Sequence, residues 1–293
     1  MKLIYLIHAH KNIAQLNNLI ALLVDNNTEL ADNDTEIYVN IDLKSKIDIS
    51  KINEKVHLIK KRIPIIWAHY SQTQAILNSI KEINENETDY SHIIFISGQD
   101  FPIKPNAIIK NTIQKDKDYL EYCNIPEEWS RAKYRYEHFH YRGRIIPLIY
   151  IVMVFASIIK RLGYRRKIPD NRIPYGGSDW WIFTKDTVEY ILSFVDDAAN
   201  QNCIKFFKRV VFSSELFFHT ILCNSDRKKN IVNENYRYID WSEKKPNPKK
   251  LDISDYEKII NSNKLFCRKI EPGVSDSLVA KLTEYRNNYR YEI

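Results

Sequence analysis

The feature of this 293-residue chain that most restricts its fold is a repeated switch between two hydrophobic periods in its first half. Leu3–Ala9 is a continuous apolar run, Ile13–Val24 carries apolar residues at helical spacing, and Glu36–Ile41 returns to a strand-like run. A run that is apolar at every position suits a strand covered on both faces, whereas a spacing of three to four suits an amphipathic helix. The alternation continues with a short strand at Val56–Ile59, a helix over Ser71–Ile83 that Ser71 could cap, a buried strand at His92–Ser97 and a helix over Pro105–Ile113. Strands separated by helices of this length form a mostly parallel, twisted α/β sheet with helices on both faces. Ligands of such sheets bind beyond the carboxyl ends of the strands.

From Trp129 to Lys167 the pattern breaks into WSRAKYRYEHFHYRGR, an apolar run at Ile145–Ile159 and a basic loop. Alternation resumes at Asp179–Thr184, followed by a helix over Asp186–Phe194, a helix opening at Ser214, a strand around Tyr236–Asp240 and a last strand and helix from Leu265 onward. No Gly/Ser-rich linker or internal repeat divides the chain, so one domain with an inserted loop-rich region is expected.

Several classes have no support. The ordinary share of hydrophobic (44%) and charged (28%) residues excludes a disordered chain. Cys123, Cys203, Cys223 and Cys267 are far apart and form no CxxC pair, so reduced thiols in a cytosol are expected rather than a zinc knuckle or disulfide framework. Nor is there a GxxxxGK[ST], GxGxxG, GxSxG or HExxH string, which removes the signatures of the common ATPases, dinucleotide enzymes, α/β-hydrolases and zincins.

The apolar run Ile145–Ile159 is shorter than the ~18 residues that span a bilayer. Arg142 and Arg144 precede it, and Lys160, Arg161, Arg165, Arg166 and Lys167 follow it. With a net charge of +7, those flanks suit a helix lying in an anionic membrane interface; a buried core helix is the other reading.

Asp100 closes Ser97-Gly98-Gln99-Asp100 just after a buried strand, where metal-dependent sugar transferases carry an Asp-x-Asp clamp. One carboxylate beside a Gln is a poor divalent site. The literal strings Asp32-Asn33-Asp34 and Asp116-Lys117-Asp118 precede strands and are read as chance, so no metal is expected. The charge on a departing nucleoside diphosphate must then be met by fixed cations. Arg237 in NYRYIDW and Arg268 with Lys269 in LFCRKIEP could supply them, although a solvated surface is the ordinary place for any single Lys or Arg.

Glu215 in VVFSSELFFHTIL follows two serines able to cap a helix. Apolar neighbours raise the pKa of such a carboxyl and a helix N-terminus lowers it. A first-turn Glu suited to the helix dipole and a single general base are both open readings. His8 and His10 share a face at the end of the first strand, as a metal pair without a third ligand or as packing beside a nucleotide. The basic and aromatic residues of Arg131–Arg144 could stack on single-stranded nucleic acid, sugar rings or lipid headgroups, and no nucleic-acid motif accompanies them.

Taken in order, YLIHAHKN, VNIDLKSK, WAHYSQTQAIL, FISGQDFPIK, GGSDWWIFT, SSELFFHTIL and FCRKIEP resemble the core-2/I-branching enzyme family, glycosyltransferase family 14, from about Lys2 to Pro272. That resemblance implies a GT-A-like fold, a UDP-sugar donor, inversion at the anomeric carbon and no active-site metal. Glu215 would be the general base, and Lys269, less directly Arg237, would neutralise the diphosphate. Asp42 and the His8–His10 turn would border the nucleotide, and Asp100, Trp180 and Trp181 would line the sugar site. It also divides the single domain, 1–293, into a nucleotide-binding half (about 1–125), an acceptor- and membrane-facing insertion (about 126–175) and a catalytic, diphosphate-binding part (about 176–293). Animal members carry an N-terminal anchor and paired cysteines, whereas this sequence opens on its first strand and its cysteines look unpaired, so a bacterial-type enzyme of the cytoplasm is expected, peripheral on the inner membrane face through 142–167. Its expected task is to move N-acetylglucosamine or xylose onto a saccharide hydroxyl, with a β-linkage, in surface polysaccharide assembly. A catalytically inactive nucleotide- or glycan-binding relative is the alternative, and a basic RNA-binding protein a remoter one.

Overall fold

The computed structural model describes residues 1–24, 35–140 and 146–288. Asp32, Asn33, Asp34, Arg142 and Arg144 lie outside the described residues. A central sheet runs in the order β3-β2-β1-β4-β7-β6-β8. Its strands are β1 (Leu3–Ala9), β2 (Thr35–Ile41), β3 (His57–Leu58), β4 (His92–Ser97), β6 (Asp118–Asn124), β7 (Tyr175–Thr184) and β8 (Ile231–Val232). β5 (Phe101–Pro102), β9 (Arg237–Ile239) and β10 (Phe266–Arg268) form a small second sheet in the order β5-β10-β9. In the central sheet β1 pairs parallel with β2 and β4, as do β2 with β3 and β6 with β8, whereas β7 is antiparallel to both β4 and β6. This is the mostly parallel α/β arrangement expected from the alternation.

The helices are α1 (Ile13–Val24), α2 (Ser71–Asn86), α3 (Asn106–Thr112), α4 (Ile125–Glu128), α5 (Tyr134–Glu137), α6 (Ile146–Arg161), α7 (Lys185–Asp196), α8 (Gln201–Phe207), α9 (Ser214–Cys223), α10 (Tyr256–Ile260) and α11 (Asp276–Asn288). Successive residues of a strand point to opposite faces, and β1 feeds two cores accordingly. Ile4 and Leu6 join Phe95, Ile76, Ile80, Val188 and Phe217 on one face. Leu3, Tyr5 and Ile7 join Ile94, Ile96, Leu16 and Ile20 on the other. Each fully buried Ile, Leu or Phe contributes roughly 1.5–3 kcal/mol, so a strand buried on both faces is fixed in register from both sides.

One local expectation is corrected and one residue gains a structural role. Ser71 does not cap α2: the N-cap position is Tyr70, and the Ser71 hydroxyl accepts the Ile66 N–H at 2.8 Å instead. Asp118 opens β6 as a buried structural acceptor, taking Thr184 N–H (2.8 Å) and the hydroxyls of Thr184 (3.0 Å) and Thr187 (2.7 Å) at the start of α7. The four cysteines are free thiols. Among the described residues no helix is long and apolar enough to cross a membrane.

Candidate active site

The site assembles around the carboxyl ends of β1, β2 and β4. Gly98 N donates to His8 O (3.0 Å), and a Cβ at Gly98 would come within 3.1 Å of the Ala9 Cβ, so the turn after β4 lies tightly against β1. In that turn Asp100 is almost fully buried; its Oδ2 accepts the Ser97 N–H at 2.5 Å and its Oδ1 faces Arg268 Nη1 at 3.7 Å. Ile270 N donates to Gln99 O (2.9 Å), and Gln99 Nε2 donates to a Glu271 oxygen (2.8 Å). The segments SGQD and RKIE, distant in sequence, are therefore one structural unit.

That unit aims the cations. The Arg268 guanidinium lies 4.1 Å from the Trp180 ring centroid, held between that π face and Asp100. Lys269 follows, half-buried; loss of hydration, then the positive charges of Arg268 and Lys11, lower its pKa. Its ammonium makes no hydrogen bond among the described residues. His10 stands at the surface of the same cluster, its pKa lowered by partial desolvation and then by Lys11 and Lys269. Lys11 Nζ is paired with the Glu271 carboxylate (2.8 Å), which leaves the Lys269 ammonium as the cation of this cluster without a carboxylate hydrogen bond.

Other candidates take supporting positions. His8 packs edge-on against Phe95 (4.9 Å) with Nε2 3.4 Å from the Ser79 hydroxyl, and desolvation pulls its pKa to about 3, so it is neutral. Asp42 shapes the loop after β2, its Oδ1 accepting the Lys44 N–H (2.9 Å) and the Ile65 N–H (3.1 Å). Arg237 corrects its expectation: it is 3% exposed, donates to Phe95 O (2.6 Å) and Asn235 O (2.7 Å), and lies 4.7 Å from the Phe266 ring. Its guanidinium staples the two sheets together instead of facing an open site. Trp181 is corrected likewise, being 1% exposed and stacked on Phe183 at 4.2 Å, in the core and not along a sugar pocket.

Asp179 and Trp180 owe their position to an irregularity in β7. Leu120 of β6 pairs with Trp181 and Tyr122 with Gly177, so Glu121 alone stands opposite Ser178, Asp179 and Trp180. Such a bulge releases residues from the ladder and re-aims their side chains. Gly177 permits it, since a Cβ there would fall 2.0 Å from Glu121 O. One Asp179 oxygen accepts from Gln72 Nε2 at 3.3 Å, while the other is buried without a hydrogen-bond partner among the described residues.

Glu215 lies in the first turn of α9, and its environment was not legible in sequence. Neither serine caps the helix through its side chain; Ser213 Oγ instead accepts the Thr73 hydroxyl at 3.0 Å. Phe212 enters the helix in the left-handed region (φ 52°), its N–H donating to Ala68 O at 3.0 Å. A non-glycine residue there carries strain of order 1 kcal/mol, a cost found mainly at functional sites. Arg135 of α5 donates through Nη1 to Glu215 Oε2, and its guanidinium lies 4.4 Å from the Trp129 ring and 4.7 Å from the Phe212 ring. Burial first, and then the Asp179 carboxylate, raise the Glu215 pKa to about 7 against the opposing pull of Arg135. Asp179 is itself shifted upward by burial, opposed by Ser214 and Arg268. Glu215 keeps 23% of its side chain exposed, so it is desolvated yet reachable.

An α/β scaffold that aims one carboxyl of near-neutral pKa and a lysine–arginine cluster into a common region has the parts of a sugar-transfer site. The chain belongs to the Core-2/I-Branching enzyme family, which it matches over residues 22–261. That span contains Asp42, Asp100, Asp179, Glu215 and Arg237 and ends before Arg268. Xylosyltransferase 2 of Mus musculus is 26% identical over 219 residues, covering 71% of this chain and 23% of the relative. Xylosyltransferase 1 of Rattus norvegicus is 24% identical over 272 residues, covering 85% of this chain and 32% of the relative. The chain thus spans 23% and 32% of the length of these relatives. Among solved structures, the bifunctional glycosyltransferase WbbM in its apo form aligns with 100% of this chain and 50% of its own, at 12% identity and a TM-score of 0.41. The galactosyltransferase LgtC, with donor and acceptor sugar analogues, aligns with 98% of this chain and 96% of its own, at 8% identity and a TM-score of 0.38.

Proposed function

We propose that this protein is an inverting glycosyltransferase that moves a sugar from a UDP-sugar to a hydroxyl of a saccharide acceptor, giving a β-linkage. The observation that carries this reading is Glu215, a partly exposed carboxyl with a pKa near 7, linked electrostatically through Asp179 to Arg268 beside Lys269. A general base is most effective when its pKa lies near the working pH. In this reading Glu215 takes the proton of the acceptor hydroxyl as its oxygen attacks the anomeric carbon. The bond to UDP breaks on the opposite side, and Lys269 with Arg268 stabilises the charge that collects on the departing diphosphate. Arg237 holds the sheet from which Arg268 projects and does not touch the phosphates.

Metal independence is supported by the donor set. The turn after β4 carries a single carboxylate, Asp100, whose Oδ2 accepts the Ser97 N–H and whose Oδ1, without a hydrogen-bond partner among the described residues, faces Arg268 Nη1 at 3.7 Å, so it offers no carboxylate pair. Among the described residues the grouping that could hold a cation is Glu36, His57 and Glu87, near the amino ends of β1 and β2 and away from this site. N-acetylglucosamine and xylose are the donor sugars proposed, in the building of a surface polysaccharide.

Glu215→Gln keeps the shape of the side chain and removes its basicity. Turnover of UDP-sugar should fall by at least about a hundredfold, with UDP affinity within about twofold of wild type. Normal turnover by this variant would move the base elsewhere, and a wild-type chain that binds UDP without turnover would establish the inactive-relative reading. RNA binding gains no support: Arg135 and Tyr136, central to the basic-aromatic stretch, are 12% and 5% exposed and committed internally.

A further inference from the structure

On α6, Ile151, Val154, Phe155, Ile158 and the following Leu162 fall within a wedge of about 100° at the α-helical rotation per residue. All are open to solvent, at 64%, 61%, 59%, 52% and 79%. Tyr164 adds a further exposed ring. A contiguous stripe of this kind on a surface helix marks an interaction site. Its charge pattern indicates the partner. From Ile146 to Pro169 the sequence has no Asp or Glu, and Arg161, Arg165 and Lys167 are exposed at the C-terminal end of the stripe.

We propose that α6 docks this enzyme on an anionic phospholipid surface, lying in the interface with the Ile151–Leu162 stripe among the acyl chains and the basic loop among the headgroups. An apolar face bordered by cations has the chemistry of an interfacial helix; at 16 residues the described helix is too short to span the bilayer. The helix is also mechanically tied to the body. Buried Arg166 donates to the carbonyls of His138 (3.2 Å), Arg209 (3.0 Å) and Phe206 (3.0 Å), and Arg166 N donates to Glu137 O (3.0 Å). Glu137 shares α5 with Arg135, which holds Glu215. Docking would therefore present the Glu215 side of the molecule to the lipid surface. The acceptor class this favours, a saccharide on a lipid carrier, rests on the sugar-transfer reading; the docking itself does not.

The test is co-sedimentation of the full chain with phosphatidylcholine vesicles, with and without phosphatidylglycerol. Binding should need the anionic lipid, weakening about fivefold for each basic side chain removed, and should fall as salt rises. The double change Ile151→Glu with Phe155→Glu should lower it by at least about tenfold, as should Arg161→Glu with Lys167→Glu. Ile253→Glu, at an exposed apolar residue elsewhere, should leave it unchanged. Because the altered side chains are exposed, the thermal midpoint and UDP binding of every variant should match wild type, which separates a failure of docking from a failure of the enzymatic reading. Wild-type binding without anionic-lipid preference, equal binding by the Ile151/Phe155 variant, or self-association through the stripe without vesicle binding would each overturn the proposal.

Discussion

At the scale of single residues, the site turns on how three charged groups share one desolvated region. Burial and Asp179 raise the Glu215 pKa to about 7 while Arg135 opposes them. Transfer that uses the carboxylate should therefore lose rate as pH falls below about 7. Asp179→Asn removes a repulsion, so the acidic limb of the pH–rate profile should move to lower pH; Arg135→Ala removes an attraction and should move it higher. Because the folded pKa lies above that of the unfolded chain, protonated Glu215 favours folding below the ordinary glutamate range, and this contribution disappears as pH rises through 7. Asp179→Asn should accordingly resist heat better than wild type at pH 8. A limb that stays in place in both variants would detach Glu215 from catalysis. Glu215, Asp100, Arg268 and Lys269 were legible as candidates because each stands beside an apolar run that a sheet or helix would bury. Arg135 and Asp179 were not. Arg135 meets Glu215 across 80 positions, and no local pattern encodes that contact. Asp179 stood in plain view within GGSDWW, but period-two alternation does not reveal the bulge that aims it.

At the scale of elements, that bulge is a construction of β6 and β7 together. Gly177→Ala would set a Cβ 2.0 Å from Glu121 O, a clash with backbone that no rotamer change relieves. We expect a loss of about 2–4 kcal/mol, read by denaturant unfolding, and weaker UDP binding as Trp180 loses its hold on Arg268. Wild-type stability in this variant would show the bulge to be pliable. Strands β1 and β4 and helix α1 were legible to the residue, since uniform apolarity and helical spacing are local signals. The direction of β7 was not, because whether a strand enters parallel or antiparallel depends on the path of the whole insertion before it. Trp181 and Arg237 were misplaced for a related reason: composition marks an aromatic or a cation, and only packing decides whether it faces a ligand or the core.

For the molecule as a whole, two groups of cations at separate places carry the two proposals. Arg268, Lys269 and Lys11 gather beyond the ends of the parallel strands, and Arg161, Arg165 and Lys167 gather beside the apolar stripe of α6. In the proposed reaction the first group takes the place of a divalent cation, and UDP titration tests that proposal without knowledge of the sugar or the acceptor. Calorimetric titration of UDP, with uridine as the uncharged reference, should give the same affinity within about twofold in EDTA and in excess manganese. Lys269→Ala should weaken UDP by about tenfold or more and leave uridine unchanged, as expected for the loss of one charge-assisted contact. UDP binding that vanishes in EDTA and returns with manganese, with Lys269→Ala no weaker than wild type, would contradict a diphosphate balanced by the protein's own cations.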